Sequence, residues 1–200
     1  MKSEMPCLGV KTPVMRRAVR EVFAALPLED FDAWRDTTLA LWRGARYREE
    51  RYAAIELTGD RAYVEYQTLA SLPLYEEIVV TGAWWDYVDA VATQRLFEIL
   101  KRQPAAMKRR MRAWSKSPDI WKRRCSILFQ LKAKRDTDLP LLYECIERSM
   151  DEPEFFLRKA IGWALREYAK TDPREVERFV RRHTGRLSPL SQREALKHHR

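Results

Sequence analysis

The sequence predicts an all-α fold in which pairs of short helices repeat along the chain. Three observations support this class: the 200 residues include only six glycines, apolar residues recur with a helical period, and no segment alternates as a strand would. Proline, Asp, Ser and Thr separate the apolar stretches, which is typical of helix boundaries. We expect about ten to twelve short helices in a single domain over residues 1–200.

Proline-containing turns mark individual helix starts. A capping residue followed by proline is a common N-terminal signal, because proline fixes φ and lacks an amide hydrogen that the first turn would leave unpaired. Such signals occur at 12–13, 117–119, 152–154, 171–173 and 188–189. We expect a helix to begin at each of them.

Three segments resemble one another at a regular spacing. Similar patterns begin at Trp85, Trp121 and Phe155, about 35 residues apart, and a weaker copy lies at 51–55. Helix pairs at this spacing describe a HEAT-like α-solenoid, whose curvature creates a concave surface. An ordinary helical bundle is the alternative.

The chain is strongly basic. Lys and Arg number 38 against 29 Asp and Glu, a formal net charge of +9 at pH 7. This balance favours a polyanionic partner such as nucleic acid, although an acidic membrane surface would also attract it. No apolar run has the length of a bilayer span, and residues 1–7 lack the apolar core of a signal peptide, so we expect a cytoplasmic protein.

The positive charge is concentrated between Lys101 and Arg135, where thirteen basic residues stand against the single acid Asp119. Ion pairs within those helices cannot neutralise the run, so we expect water or phosphates to balance it. Arg124 and Lys132, eight residues apart, are expected on one helical face. The concave face of the solenoid is therefore predicted to be basic and to bind DNA.

A second cationic stripe surrounds Trp163 on a later helix. Its other members are Lys159, Arg166 and Lys170. The apolar residues of that helix lie on its opposite side, which leaves the Trp163 ring free for another role.

Cysteine and histidine usage argues against a metal site. The three cysteines lack paired spacing, and Cys125 and Cys145 lie in apolar helical patterns, so we expect buried free thiols. The three histidines, at 183, 198 and 199, are too few and too clustered for a convincing zinc site or catalytic triad. We expect neither a metal nor another cofactor.

The stretch Trp-Trp-Asp-Tyr-Val-Asp at 84–89 is the main candidate for chemistry. If a helix begins near residue 81, Trp84 faces the core while Trp85 and Asp89, four residues apart, share an adjacent face. Asp86 in the first turn is explained by the helix dipole.

A carboxylate inside a basic cleft has two explanations. Asp89 forms a salt bridge with Arg124 or Arg166, or it stabilises a positive charge that develops during a reaction. Hydrolysis of a glycosidic bond passes through an oxocarbenium-like transition state that a carboxylate stabilises while positioning water. The Trp85 face would add cation–π attraction.

With these residues the chain resembles bacterial DNA alkylation repair proteins of the AlkD type, which are HEAT-like DNA glycosylases. The motifs that carry the resemblance are residues 8–13, 84–89, 121–124 with 127–132, 159–170 and 190–195. The resemblance implies monofunctional excision of cationic N3- or N7-alkylated purines from double-stranded DNA, without base flipping. It also implies a monomer associated with the nucleoid.

Carried over by position, the resemblance implies that Asp89 stabilises the oxocarbenium and orients water, while Trp85 and Trp163 flank the sugar of the lesion. It implies that Arg124 holds the phosphate backbone nearby. The further DNA-binding cations would be Arg166, Lys132 and Lys11.

Two departures from the family pattern bear on these expectations. Lys11 stands where relatives commonly carry a glutamine, and only seven residues precede Leu8, so the family's N-terminal helices are expected to be missing. A noncatalytic paralogue that binds DNA structures in the same cleft therefore remains an alternative. A protein-scaffolding module with a solvated basic face is another.

Overall fold

A computed structural model of the chain describes residues 5–197. In this range no residue lies in a strand, and twelve α-helices follow one another, so the predicted all-α class and helix number are confirmed. Their bounds are α1 Thr12–Ala25, α2 Phe31–Gly44, α3 Arg48–Thr58, α4 Leu72–Gly82, α5 Trp85–Ala90, α6 Phe97–Arg102, α7 Pro104–Trp114, α8 Ile120–Leu128, α9 Leu139–Glu147, α10 Phe155–Ala169, α11 Pro173–Arg182 and α12 Pro189–Ala195. Short 3-10 turns lie at Arg61–Tyr66, Leu69–Ser71 and Lys134–Asp136.

The helices pack as a repeat. α3, α5, α8, α10 and α12 form a row, called here the main row, in which each helix contacts the next. α2, α4, α7, α9 and α11 pack against members of this row. Within the row α5, α8 and α10 begin about 35 residues apart, and the weaker sequence copy at 51–55 lies in α3. The predicted α-helical repeat is confirmed over a simple bundle.

Several helix starts follow the predicted chemistry. Asp172 caps α11 by accepting a hydrogen bond from the Glu175 amide, and Ser188 caps α12 in the same way. α8 begins later than expected, because Asp119 rather than Ser117 accepts from the amides of its first turn.

The helix that carries the central stretch begins later than predicted. α4 ends at Gly82, and Ala83 adopts the left-handed conformation with φ of 41°, so α5 is a separate helix that starts at Trp85. From there the chain is helical to residue 102 through a π-helical turn at Val91–Leu96. Trp84 is the capping residue of α5 and is only partly buried.

The expectation that Arg124 and Lys132 share a helical face is wrong. α8 ends at Leu128, and the chain then turns. The Gln130 side chain stabilises this turn, because its amide oxygen accepts from the Asp138 amide at 2.8 Å. Arg124 is buried between helices, whereas Lys132 lies beyond the turn and is exposed.

The core runs from α2 to α12 and includes the predicted thiols. Cys125 and Cys145 are buried and free, as expected, and burial raises the pKa of Cys145 to about 11. Among the described residues, no helix has the length and apolarity that crossing a membrane requires. His198 and His199 lie outside the described residues.

Candidate active site

Trp85 and Asp89 lie one turn apart on α5, the second helix of the main row. The core face of this helix is occupied by Tyr87 and Val88, which are almost completely buried. Trp85 lies outside that face and is 38% exposed. The Asp89 side chain is only 13% exposed. The helix thus presents an accessible indole beside a largely desolvated carboxylate.

Arg124 of α8 holds the Asp89 carboxylate with two parallel hydrogen bonds. Arg124 Nε donates to Asp89 Oδ1 at 2.7 Å and Nη2 donates to Oδ2 at 2.8 Å. Its Nη1 donates to the main-chain carbonyl of Phe156 in α10. The Arg124 side chain is only 5% exposed. Of the two salt bridges that the sequence offered for Asp89, the structure forms the one with Arg124.

The environment of Asp89 acts on its ionisation in two directions. Burial raises the pKa of the Asp89 carboxyl, and hydrogen bonds and the positive charge of Arg124 oppose that effect, with a net rise. The negative charge of nearby Asp86 raises the pKa further. The main-chain carbonyl of Asp89 accepts a hydrogen bond from the Thr93 hydroxyl at 2.8 Å, at the start of the π-helical turn. Such turns are frequent at functional sites.

Asp86 belongs to a separate network with a structural character. Its carboxylate accepts from the guanidinium of Arg48 and from the Tyr52 hydroxyl at 2.6 Å, both on α3. Arg48 is 2% exposed and lies 4.9 Å from the centre of the Tyr87 ring. These contacts join α3 to α5 and agree with the structural role expected for Asp86. Arg48 was not expected at this site, because no local spacing in the sequence connects it to the stretch at 84–89.

Trp163 lies on α10 beside Lys159 and Arg166, as the helical stripe predicted. The Trp163 ring is half-buried against the core. Both cations contact Glu194 of α12: Lys159 Nζ lies 3.1 Å from Glu194 Oε1, and Arg166 contacts Oε2. Arg166 is therefore not a free cation in this structure. Glu194 was missed as a partner, because the stripe describes one helix and not its neighbour.

The long basic run is partly neutralised from other helices. Acidic residues contact six of its thirteen cations, five of them from distant parts of the chain, so the expectation that water or phosphates balance the whole run is wrong. The pairs are Lys101 with Glu98, Lys108 with Asp138, Arg112 with Glu144, Lys122 with Glu76, Arg123 with Glu152 and Arg124 with Asp89.

A basic groove of about 870 Å³ lies between the α8–α9 connection and the end of α10. Its cations include Lys132, Lys134 and Arg135, for which no ion pair is found among the described residues. Lys11 is exposed at the start of α1, where its side chain makes no capping hydrogen bond. Within residues 5–197, no group of three or more His, Cys, Asp or Glu side chains could hold a metal ion.

Comparison with known proteins places the chain in a family. A family model described as DNA alkylation repair enzyme matches residues 1–199. Among solved structures, the chain is similar to a predicted DNA alkylation repair enzyme from Enterococcus faecalis, with 28% sequence identity and a TM-score of 0.86 over 95% of this chain and 86% of that chain. A comparison with curated proteins found no match. The chain belongs to the DNA alkylation repair enzyme family.

Proposed function

We propose that the chain is a monofunctional DNA glycosylase that releases cationic N3- or N7-alkylated purines from duplex DNA. The observation that carries this proposal is the Asp89 carboxylate, fixed in orientation by Arg124 and placed one turn from the exposed Trp85 indole. Family membership supports repair of alkylated DNA as the context.

In the proposed reaction the bond between C1′ and the alkylated base breaks, and the base leaves with the bonding electrons. Because the base is already cationic, it leaves as a neutral molecule without protonation by an acid. Asp89 stabilises the oxocarbenium that remains, and water then adds to C1′ and loses a proton. Trp85 and Trp163 flank the sugar. No step requires the nucleotide to leave the base stack, so this mechanism differs from base flipping.

Arg124 acts first on Asp89 in this proposal. Its two hydrogen bonds fix the orientation of the Asp89 carboxylate, so the remaining lone pairs of its oxygens point in a fixed direction towards the reacting sugar. A guanidinium has five N–H groups, and those not used by Asp89 and Phe156 remain for a backbone phosphate near the lesion. Lys132 in the basic groove, Lys11 and Arg166 would supply further phosphate contacts, Arg166 in exchange for Glu194.

The test is base release from duplex DNA that contains 7-methylguanine or 3-methyladenine, measured by chromatography of the free base. We expect release by the intact chain and a loss of about a hundredfold to a thousandfold in Asp89→Asn. Asp151→Asn is a matched control for charge, because Asp151 is exposed and contacts Arg186 at the surface. Circular dichroism must show that each variant is folded at the assay temperature. Absence of release by the intact chain, or equal release by folded Asp89→Asn, contradicts the proposal.

One observation favours a second function, a noncatalytic protein that binds DNA structures. Both oxygens of Asp89 are hydrogen-bonded to Arg124, so its charge is already balanced by a buried cation. This function predicts duplex binding that weakens with salt and no release of any alkylated base. The same assay, combined with duplex binding at two salt concentrations, separates the two functions.

A further inference from the structure

A second pocket lies at the start of α5, and neither Trp85 nor Asp89 is among its lining residues. Its volume is about 620 Å³, and it is formed where α3, the end of α4 and the start of α5 meet. The residues that line it are Met5, Pro6, Arg46, Arg48, Arg51, Thr81, Gly82, Ala83, Trp84 and Tyr87. Among these are three arginines and no carboxylate.

The pocket collects buried hydrogen-bond donors without partners. Within the described residues, six buried side-chain polar atoms have no hydrogen-bond partner, and all but Trp34 Nε1 belong to residues that line this pocket. They are Nε and Nη1 of Arg48, Nε of Arg51, Nε1 of Trp84 and the Tyr87 hydroxyl. Each unsatisfied buried polar group costs about 1–3 kcal/mol, so such clustering calls for a partner.

All of these atoms can donate. Guanidinium and indole nitrogens are donors only, and the Tyr87 hydroxyl stays protonated because burial raises its pKa to about 12. A ligand that satisfies them must therefore accept several hydrogen bonds from different directions.

The charge around the pocket also favours an anion. Asp86 accepts from Nη2 of Arg48, which leaves Nε and Nη1 without a partner, and Arg51 forms no ion pair among the described residues. The acids nearest in sequence are engaged with main-chain amides: Glu49 accepts from Leu8, Gly9 and Val10, and Glu50 accepts from Arg46 and Tyr47.

We propose that this pocket binds a phosphate group, which Arg48, Arg51, Trp84 and Tyr87 hold through their free donors. The ionised oxygens of a phosphate group, in an ester or in a DNA backbone, accept several hydrogen bonds from different directions, and arginine is a common donor to them. The volume exceeds what one phosphate needs and is in the range of pockets for small organic ligands, so an attached sugar also fits. A DNA strand or a free phosphate ester can supply this group.

The proposal concerns binding and does not depend on base excision. Trp84 and Tyr87 face the pocket, whereas Trp85 and Asp89 lie on other faces of α5. Phosphate binding can therefore be measured on the intact chain even if no alkylated base is released.

The test is a titration of the full chain with inorganic phosphate, with potassium chloride at equal ionic strength as reference. The readout is the indole N–H resonance of Trp84, assigned by its loss in Trp84→Phe. We expect a saturable shift with phosphate that chloride does not produce. Tyr87→Phe removes one donor and keeps the ring, and we expect it to weaken binding about fivefold to tenfold. Arg51→Gln should weaken it at least as much, whereas Arg110→Gln, on the exposed side of α7, should leave it unchanged.

Two further ligands identify the source of the phosphate. If a DNA duplex without terminal phosphates displaces inorganic phosphate from the pocket, the group is a backbone phosphate. If only a nucleoside monophosphate displaces it, the group is a free phosphate ester. The proposal is overturned if none of the three ligands shifts the Trp84 resonance beyond the chloride reference. It is also overturned if Tyr87→Phe and Arg51→Gln bind phosphate as tightly as the unmodified chain.

Discussion

Breaking the pair between Asp89 and Arg124 from one side should destabilise the protein more than removing both partners. The two side chains are 13% and 5% exposed and share two hydrogen bonds, so either partner left alone is a buried polar or charged group without its counterpart. Removal of one member of a buried pair costs about 3–5 kcal/mol. Asp89→Asn should lie at the lower end, because its amide oxygen still accepts from Arg124.

The assay is a double-mutant cycle with Asp89→Asn, Arg124→Met and the double variant, followed by urea unfolding at pH 7. We expect a coupling free energy of about 2–3 kcal/mol, since the double variant leaves no unpaired charge. For a chain of this length, each single variant should lower Tm by roughly 6–20 °C. Transitions measured by tryptophan fluorescence and by circular dichroism must coincide, because repeat proteins can lose cooperativity.

The same variants have a defined pH dependence. Arg124 opposes the effect of burial on the pKa of Asp89, so Arg124→Met should raise that pKa further. Folded Asp89 then binds more protons than unfolded Asp89 between about pH 4 and its raised pKa, and stability falls as pH rises through this window. The destabilisation caused by Arg124→Met should therefore shrink from pH 7 to pH 4, and the acid limb of base release should move to higher pH. Additive free energies in the cycle, together with a destabilisation that is equal at both pH values, would refute the reasoning.

Three other variants test packing, binding and acid stability. Gly162→Ala should lower the free energy of unfolding by about 1–3 kcal/mol, although alanine has the better helix propensity. The reason is that the added Cβ would lie 2.5 Å from Glu194 Cβ, where α10 contacts α12. An unchanged or raised Tm in thermal unfolding contradicts this. Lys132→Ala should reduce the steepness of the plot of log association constant for duplex DNA against log salt concentration by about 0.9. Arg110→Ala should leave that slope unchanged. Equal slopes for the intact chain and Lys132→Ala exclude a phosphate contact by Lys132. Burial opposes ionisation of the Glu49 carboxyl, but hydrogen bonds from the Cys7 thiol and from main-chain amides outweigh this effect and lower its pKa to about 2. Ionised Glu49 should therefore stabilise the folded chain above about pH 4, and this stabilisation should be lost as pH falls towards 2. Chemical denaturation of Glu49→Gln should show a smaller loss of folding free energy in that window, and a pH profile equal to that of the unmodified chain contradicts the assignment.

Local chemistry explains what could be predicted from the sequence. Helix caps such as Asp172 and Ser188 accept a hydrogen bond from the amide three residues later, so the local sequence is enough to predict them. The four-residue spacing of Trp85 and Asp89 likewise places them one helical turn apart, whatever packs against the helix. The end of α8 was not predictable from periodicity, because apolar residues continue past Leu128. The turn that follows is stabilised by the Gln130 side chain, which pairs with the distant Asp138 main chain, and by main-chain hydrogen bonds.

The partners of the site residues were harder to predict because they lie on neighbouring repeats. Arg48 pairs with Asp86 over 38 residues, and Glu194 pairs with Lys159 over 35. Helical spacing describes one helix at a time, so it identified the cations of α10 but not the carboxylate that balances them. Long-range ion pairs had the same effect on the basic run, which looked unneutralised because most of the acids that contact it lie in other helices.

The repeat itself supplies the rule that connects these pairs. Asp89 and Arg124 are separated by 35 residues, and so are Lys159 and Glu194. Asp89, Arg124 and Lys159 each stand four residues after the first residue of their helix, so they occupy equivalent positions along the main row. A separation of one repeat therefore brings side chains together between helices, as a separation of four does within one helix. The bond between Asp89 and Arg124 thus fixes the register of α5 against α8 and also orients the carboxylate, so the stability of the repeat and the geometry of the candidate site depend on one contact.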